Sequence, residues 1–121
     1  DVYKRQIQVI CARNLTVPSL VFDEVDVGVG GGVAEIVGRL LRELGQHAQV
    51  LCITHQPQVA SQGHQHWQVH KIQGDDTTHT RIQGLDETAR VEELARMLGG
   101  VEITESTRNH AKEMLSKAQA A

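Results

Sequence analysis

Aromatic residues are almost missing from this chain: Tyr3, Phe22 and Trp67 make up 2% of 121 residues. A surface that stacks bases needs several rings along one groove, so a base-stacking platform is not expected. Long runs of lysine or arginine are missing too, and the formal net charge is -3. The electrostatic footprint of a protein that neutralises nucleic-acid phosphates is therefore not visible. No apolar stretch approaches the roughly 20 residues of a membrane-spanning helix, so a membrane is not an expected partner. No secretory leader is visible either. Cysteine is limited to Cys11 and Cys52, which do not form a CxxC pair. They read as two buried free thiols rather than a disulfide or metal framework. A GxxxxGK[ST] phosphate loop is also missing. The run Gly28-Val29-Gly30-Gly31-Gly32 is glycine-rich, but no lysine follows it.

What is there suits one domain with a core, since 40% of the residues are hydrophobic. The first six residues, Asp1-Val2-Tyr3-Lys4-Arg5-Gln6, match the translation of one frame of a transposon-based sequencing adaptor. They are expected to be foreign, with natural sequence upstream of Ile7; as native residues, polar, basic and terminal, they would matter little to the fold.

Ile7 to Arg13 reads as the end of a helix, and Asn14 to Pro18 as a turn. Leu20-Val21-Phe22 is a continuous apolar run into Asp23-Glu24, the pattern of a parallel strand buried on both faces. Gly28 to Gly32 reads as a flexible loop that can take positive φ. A helix is expected over Val33 to Leu44, with Ile36, Val37, Leu40, Leu41 and Leu44 on its apolar face and Gly45 as a C′ stop. Val50 to Thr54 reads as a second fully buried strand ending at His55. Strand, crossover helix and strand make a parallel βαβ unit. Pro57 starts a short helical turn that Gly63 ends. Trp67 to Ile72 and Thr78 to Ile82 flank Gly74-Asp75-Asp76 and read as an antiparallel hairpin. Asp86 caps a helix carrying Val91, Leu94, Ala95, Met97 and Leu98. Thr104, or else Ser106 or Thr107, opens a last helix with Ala111, Met114 and Leu115, ending in a frayed alanine-rich tail.

Three features carry chemistry. Asp23 and Glu24 are adjacent carboxylates at a strand end, where one can hold Mg²⁺ and the other orient a water. The simpler account is a solvated acidic pair. His55 ends the next strand, and neighbouring parallel strands share the carboxyl edge where ligands bind. An imidazole there can reach a γ-phosphate and the attacking water, or it can be merely structural. Asp26, followed by Val27-Gly28, suits either a loop leaving the site or a plain connection. His64, His66 and His70 could suggest a metal set, but surface positions on a hairpin account for them more simply.

The strings LVFDEVDVGVGG and ITHQPQVA, separated by a helix, resemble the C-terminal half of an ABC-type ATPase head of the SMC-like class. DEVDVG, VGRLLRELG, HQHWQVHK, ELARMLGG and the following AKEML extend the resemblance from Ile7 to the end. They bring it closest to a bacterial branch that acts in DNA double-strand break repair and recombination. The resemblance implies an α/β fold: the C-terminal part of an ABC/SMC-type P-loop head, with a parallel βαβ core, a small antiparallel hairpin and two C-terminal helices. It implies that Asp23 is the Walker B aspartate supporting Mg²⁺, Glu24 the catalytic glutamate, Asp26 a D-loop residue at the ATP site and His55 the switch histidine. It also implies ATP and Mg²⁺ as cofactors, a homodimer of heads, DNA engaged through the full-length protein, and a cytoplasmic, nucleoid-associated setting. The Walker A loop and the LSGGE-like signature are not in this sequence, so the segment alone is expected to be inactive. The rival reading is a stand-alone protein-interaction module that keeps the fold without hydrolysis. A transporter-type ABC domain fits less well, because nothing resembles a membrane-coupling segment.

Overall fold

The computed structural model describes residues 19–23, 28, 30–99 and 102–120. The expected helix end at 7–13, the turn at 14–18, the six leading residues, Cys11, Glu24 and Asp26 lie outside the described residues.

Strand β1 (Ser19–Asp23) and strand β2 (Gln49–Ile53) pair in parallel, joined through helix α1 (Gly31–Leu44). This is the expected βαβ unit. Burial differs from expectation. Phe22 is buried, and Leu20, Val50 and Cys52 pack against α1. Val21, Leu51 and Ile53 are 66%, 55% and 49% exposed. Side chains alternate across a strand, and among the described residues one helical layer covers one face, so the continuous apolar runs are half exposed.

Helix α1 begins two residues earlier than expected, because the Gly30 carbonyl accepts the Ala34 N–H at 2.9 Å and closes a first turn that includes Gly31 and Gly32. Only Gly28 has a positive φ, +79°, among the described glycines. Gly45 ends the helix in right-handed geometry, with φ -64°, rather than as a left-handed C′ residue. Its N–H still bonds to Leu41 at 2.9 Å, and the following turn closes on the Leu44 carbonyl. The buried face of α1 is Ala34, Val37, Gly38, Leu41 and Leu44, while Ile36 is exposed.

Helix α2 (Pro57–Ala60) is one short turn, with proline at its first position as helix starts favour. It sits against α1 so closely that a Cβ on Gly38 would lie 3.0 Å from the Gln58 carbonyl oxygen and 3.2 Å from Val59 Cα. Strands β3 (Trp67–Gln73) and β4 (Thr78–Gly84) form the expected antiparallel hairpin, closed by Gly74 N–H to the Thr77 carbonyl at 2.7 Å.

Helix α3 (Glu87–Gly99) is capped by Asp86 Oδ1, which accepts the Ala89 N–H at 2.8 Å. Helix α4 (Glu105–Ala120) is capped by Thr104 Oγ1 through the Thr107 N–H at 3.2 Å. These two helices share a second core of Val91, Leu94, Ala95, Ala111 and Leu115. The tail expected to fray stays helical to Ala120 because Ala118 is buried and Gln119 donates to the Ser61 and Gly63 carbonyls. Among the described residues no helix is long and apolar enough to cross a membrane.

Candidate functional site

The parallel register places Asp23 opposite Ile53 at the carboxyl ends of β1 and β2. His55 follows two residues later, past the same edge, and both Asp23 and His55 are exposed. Leaving β2, the chain turns sharply: Thr54 Oγ1 accepts the Gln56 N–H at 3.0 Å, and Pro57 then starts α2. The first turn of α1 reaches the same region, since a Cβ on Gly31 would meet Gln58 Nε2 at 3.3 Å. The structure thus brings Asp23 and His55 to one edge from positions far apart in sequence.

Asp23 offers exposed carboxylate oxygens at a strand end. Hard oxygen donors of this kind, one or two per ion and completed by water or phosphate, are what Mg²⁺ takes, so the residue fits that ion. Among the described residues no group of three or more His, Cys, Asp or Glu could hold a metal on its own. His64 is exposed, and His66 and His70 are half-buried. A groove of about 690 Å³ lies between the hairpin base and α4, lined by His66, Trp67, Arg90 and Gln119 among others. Neither Asp23 nor His55 lines it.

The buried polar groups were not legible in the sequence. Arg90 and Glu93 are each 7% exposed on α3. Glu93 accepts from Arg96 Nε at 2.9 Å and from Gln68 on β3, which ties the hairpin to α3. Arg90 donates to backbone carbonyls at the C-terminal end of α2 and just beyond it. A helical pattern marks such positions as polar, and nothing in it says that they turn inward. Burial lowers the pKa of His66, Arg90 lowers it further, and Glu93 acts in the opposite sense.

The fold has known counterparts. A chain solved in work on ATP-driven dimerization and DNA stimulated activation of SMC ATPases superimposes with a TM-score of 0.56, at 15% identity, covering 72% of this chain and 52% of that one. Likeness at that identity speaks to the fold alone, a mixed α/β arrangement that this chain shares with part of that one. No protein-family model matches the chain. In sequence it is 54% identical over 112 residues to the DNA repair protein RecN of Vibrio cholerae, across 93% of this chain and 20% of that protein. It is 54% identical over 104 residues to RecN of Xylella fastidiosa, 86% of this chain and 19% of that protein. Against RecN of Bacillus subtilis the identity is 42% over 112 residues, 93% of this chain and 19% of that protein. The chain belongs to the RecN family as a C-terminal segment, and it spans about one fifth of the length of the curated relatives it matches.

Proposed function

We propose that this segment supplies the hydrolytic edge of a RecN-type ATPase that works in DNA double-strand break repair and recombination. The observation that carries the reading is the β1–β2 register, which sets Asp23 at the carboxyl edge and His55 two residues past its partner Ile53. Parallel α/β sheets bind ligands at that edge.

In this reading Asp23 holds Mg²⁺ directly or through water, as its exposed carboxylate suits. When bound, Mg²⁺ neutralises charge that builds on the transferred phosphoryl group. Glu24 orients the attacking water and takes its proton, the task of a positioned general base. His55 hydrogen-bonds the γ-phosphate. Asp26 belongs to the loop that meets the ATP site across a dimer of two heads. DNA engages other parts of the full-length protein, because the segment carries net charge -3 and few aromatic rings. The working place is the bacterial cytoplasm, at the nucleoid during repair. The segment alone does not turn over ATP, because no phosphate-cradling GxxxxGK[ST] loop occurs in its sequence.

The test is Glu24→Gln in the full-length protein. Loss of a positioned base lowers turnover by about 100-fold or more, with ATP binding retained. Turnover within twofold (about 0.4 kcal/mol) of the unmodified protein contradicts the reading.

A further inference from the structure

The stretch after His55 is held from outside itself. Helix α2 is one turn, too short to persist alone. The carbonyls at its C-terminal end, and those of the turn beyond, have few helical partners. Side chains of three other helices take them. Arg90 Nη2 on α3 donates to Ala60 O at 3.1 Å, to Ser61 O at 3.3 Å and to Gly63 O. Gln119 Nε2 on α4 donates to Ser61 O at 3.1 Å and Gly63 O at 2.9 Å. Arg42 Nη1 on α1 donates to Gln62 O at 2.7 Å. Every carbonyl from residue 60 to residue 63 therefore meets a donor from elsewhere in the chain.

The setting is mostly dry, since Ser61, Gln62 and Arg90 are all buried. Burial lowers the pKa of Arg90, and the Arg42 charge lowers it further. Two cations on one short segment repel, and a row of carbonyls at the negative end of a helical turn offsets that repulsion. The hold extends back toward the candidate site. The Gln56 carbonyl accepts the N–H groups of Val59 at 3.1 Å and Ala60 at 3.0 Å. A hydrogen-bonded path thus runs from the Arg90 guanidinium through α2 to the residue beside His55.

We infer that Arg90, assisted by Gln119, is a positioning residue for His55: it clamps the C-terminal end of α2 and so fixes where the imidazole stands at the sheet edge. This rests on the reading of His55 given above. Small displacements of a reacting group are costly, so a loosened clamp lowers the rate without removing a contact to nucleotide.

The test uses the full-length protein and a double-mutant cycle with His55→Ala. Arg90→Ala is expected to lower kcat about tenfold, and Gln119→Ala about threefold, with the KM for ATP within about twofold. Arg90→Lys, which keeps a donor, restores part of the loss. In a His55→Ala background either clamp substitution is expected to cost less than about twofold, because its effect passes through the missing imidazole. Losses of equal size with and without His55 overturn the inference, as does a rise in KM alone or an unchanged kcat. Should Arg90→Ala fail to fold, the exposed Gln119 decides the matter by the same cycle. An unaltered kcat in His55→Ala sinks the reading of His55 and the clamp together. A reduced kcat there, with additive clamp effects, sinks the clamp alone.

Discussion

Asp23 and Ile53 are partners in the parallel ladder of β1 and β2, so the residue two beyond Ile53, His55, stands past the strand end that Asp23 terminates. That relation joins two motifs 32 positions apart into one edge. It also fixes the face on which Asp23 lies: with Val21 and Leu51 on the exposed side, opposite Phe22 in the core.

That exposed side carries Val21, Leu51 and Ile53 together, an apolar patch on a sheet that has two strands among the described residues. Exposed apolar sheet surface with free edges invites association. The segment alone is expected to self-associate and to bind a hydrophobic dye, and Leu51→Thr to weaken both. Sedimentation with dye fluorescence checks this. A monodisperse segment that leaves the dye dark contradicts it.

Gly38 and Gly32 should respond to alanine with opposite signs. A Cβ at Gly38 would lie 2.8 Å from Gln62 Cγ as well as against the α2 backbone, whereas one at Gly32 meets nothing within 4 Å. Overpacking of this kind costs about 1–3 kcal/mol, and the helix-propensity gain of about 1 kcal/mol does not offset the upper part of that range. At Gly32 only the gain remains, roughly 0.5–1 kcal/mol. Urea midpoints are expected to fall for Gly38→Ala and rise for Gly32→Ala. Two shifts of the same sign would show that α1 and α2 do not approach as described.

Much of this architecture was legible in the sequence. Asp86 and Thr104 announce helix starts because a short oxygen-bearing side chain can take an orphan N–H, and both do so. The hairpin follows from Gly74-Asp75-Asp76 between two alternating runs. Strand burial is not legible in the same way, because an apolar run reports what a strand could bury, not which faces the described residues cover. The clamp on residues 60–63 left no trace, since an arginine in a helix reads as solvated until the elements around it are known. The candidate site was legible in part. The order of Asp23 and His55 along parallel strands can be read from pattern, and the named roles came with the family resemblance.

His66 is expected to make the fold sensitive to acid. Its Nδ1 is buried without a hydrogen-bond partner, and burial, with Arg90, lowers its pKa. A histidine whose folded pKa lies below its unfolded value binds protons more readily in the unfolded chain. Stability therefore rises with pH across that window and is lost as pH falls below about 6.5. The urea midpoint is expected to drop between pH 7.5 and pH 5.5, and His66→Gln to shrink that drop. An identical drop in the variant would place the acid sensitivity in other groups.

The most direct test of the edge formed by β1 and β2 is ATP turnover by the full-length protein, measured across Mg²⁺ concentrations for Asp23→Asn and His55→Ala. Each substitution is expected to lower kcat about tenfold or more. Asp23→Asn alone should also raise the Mg²⁺ concentration needed for half-maximal rate. If both variants turn over within twofold of the unmodified protein with the same Mg²⁺ requirement, the edge formed by β1 and β2 is not where hydrolysis occurs.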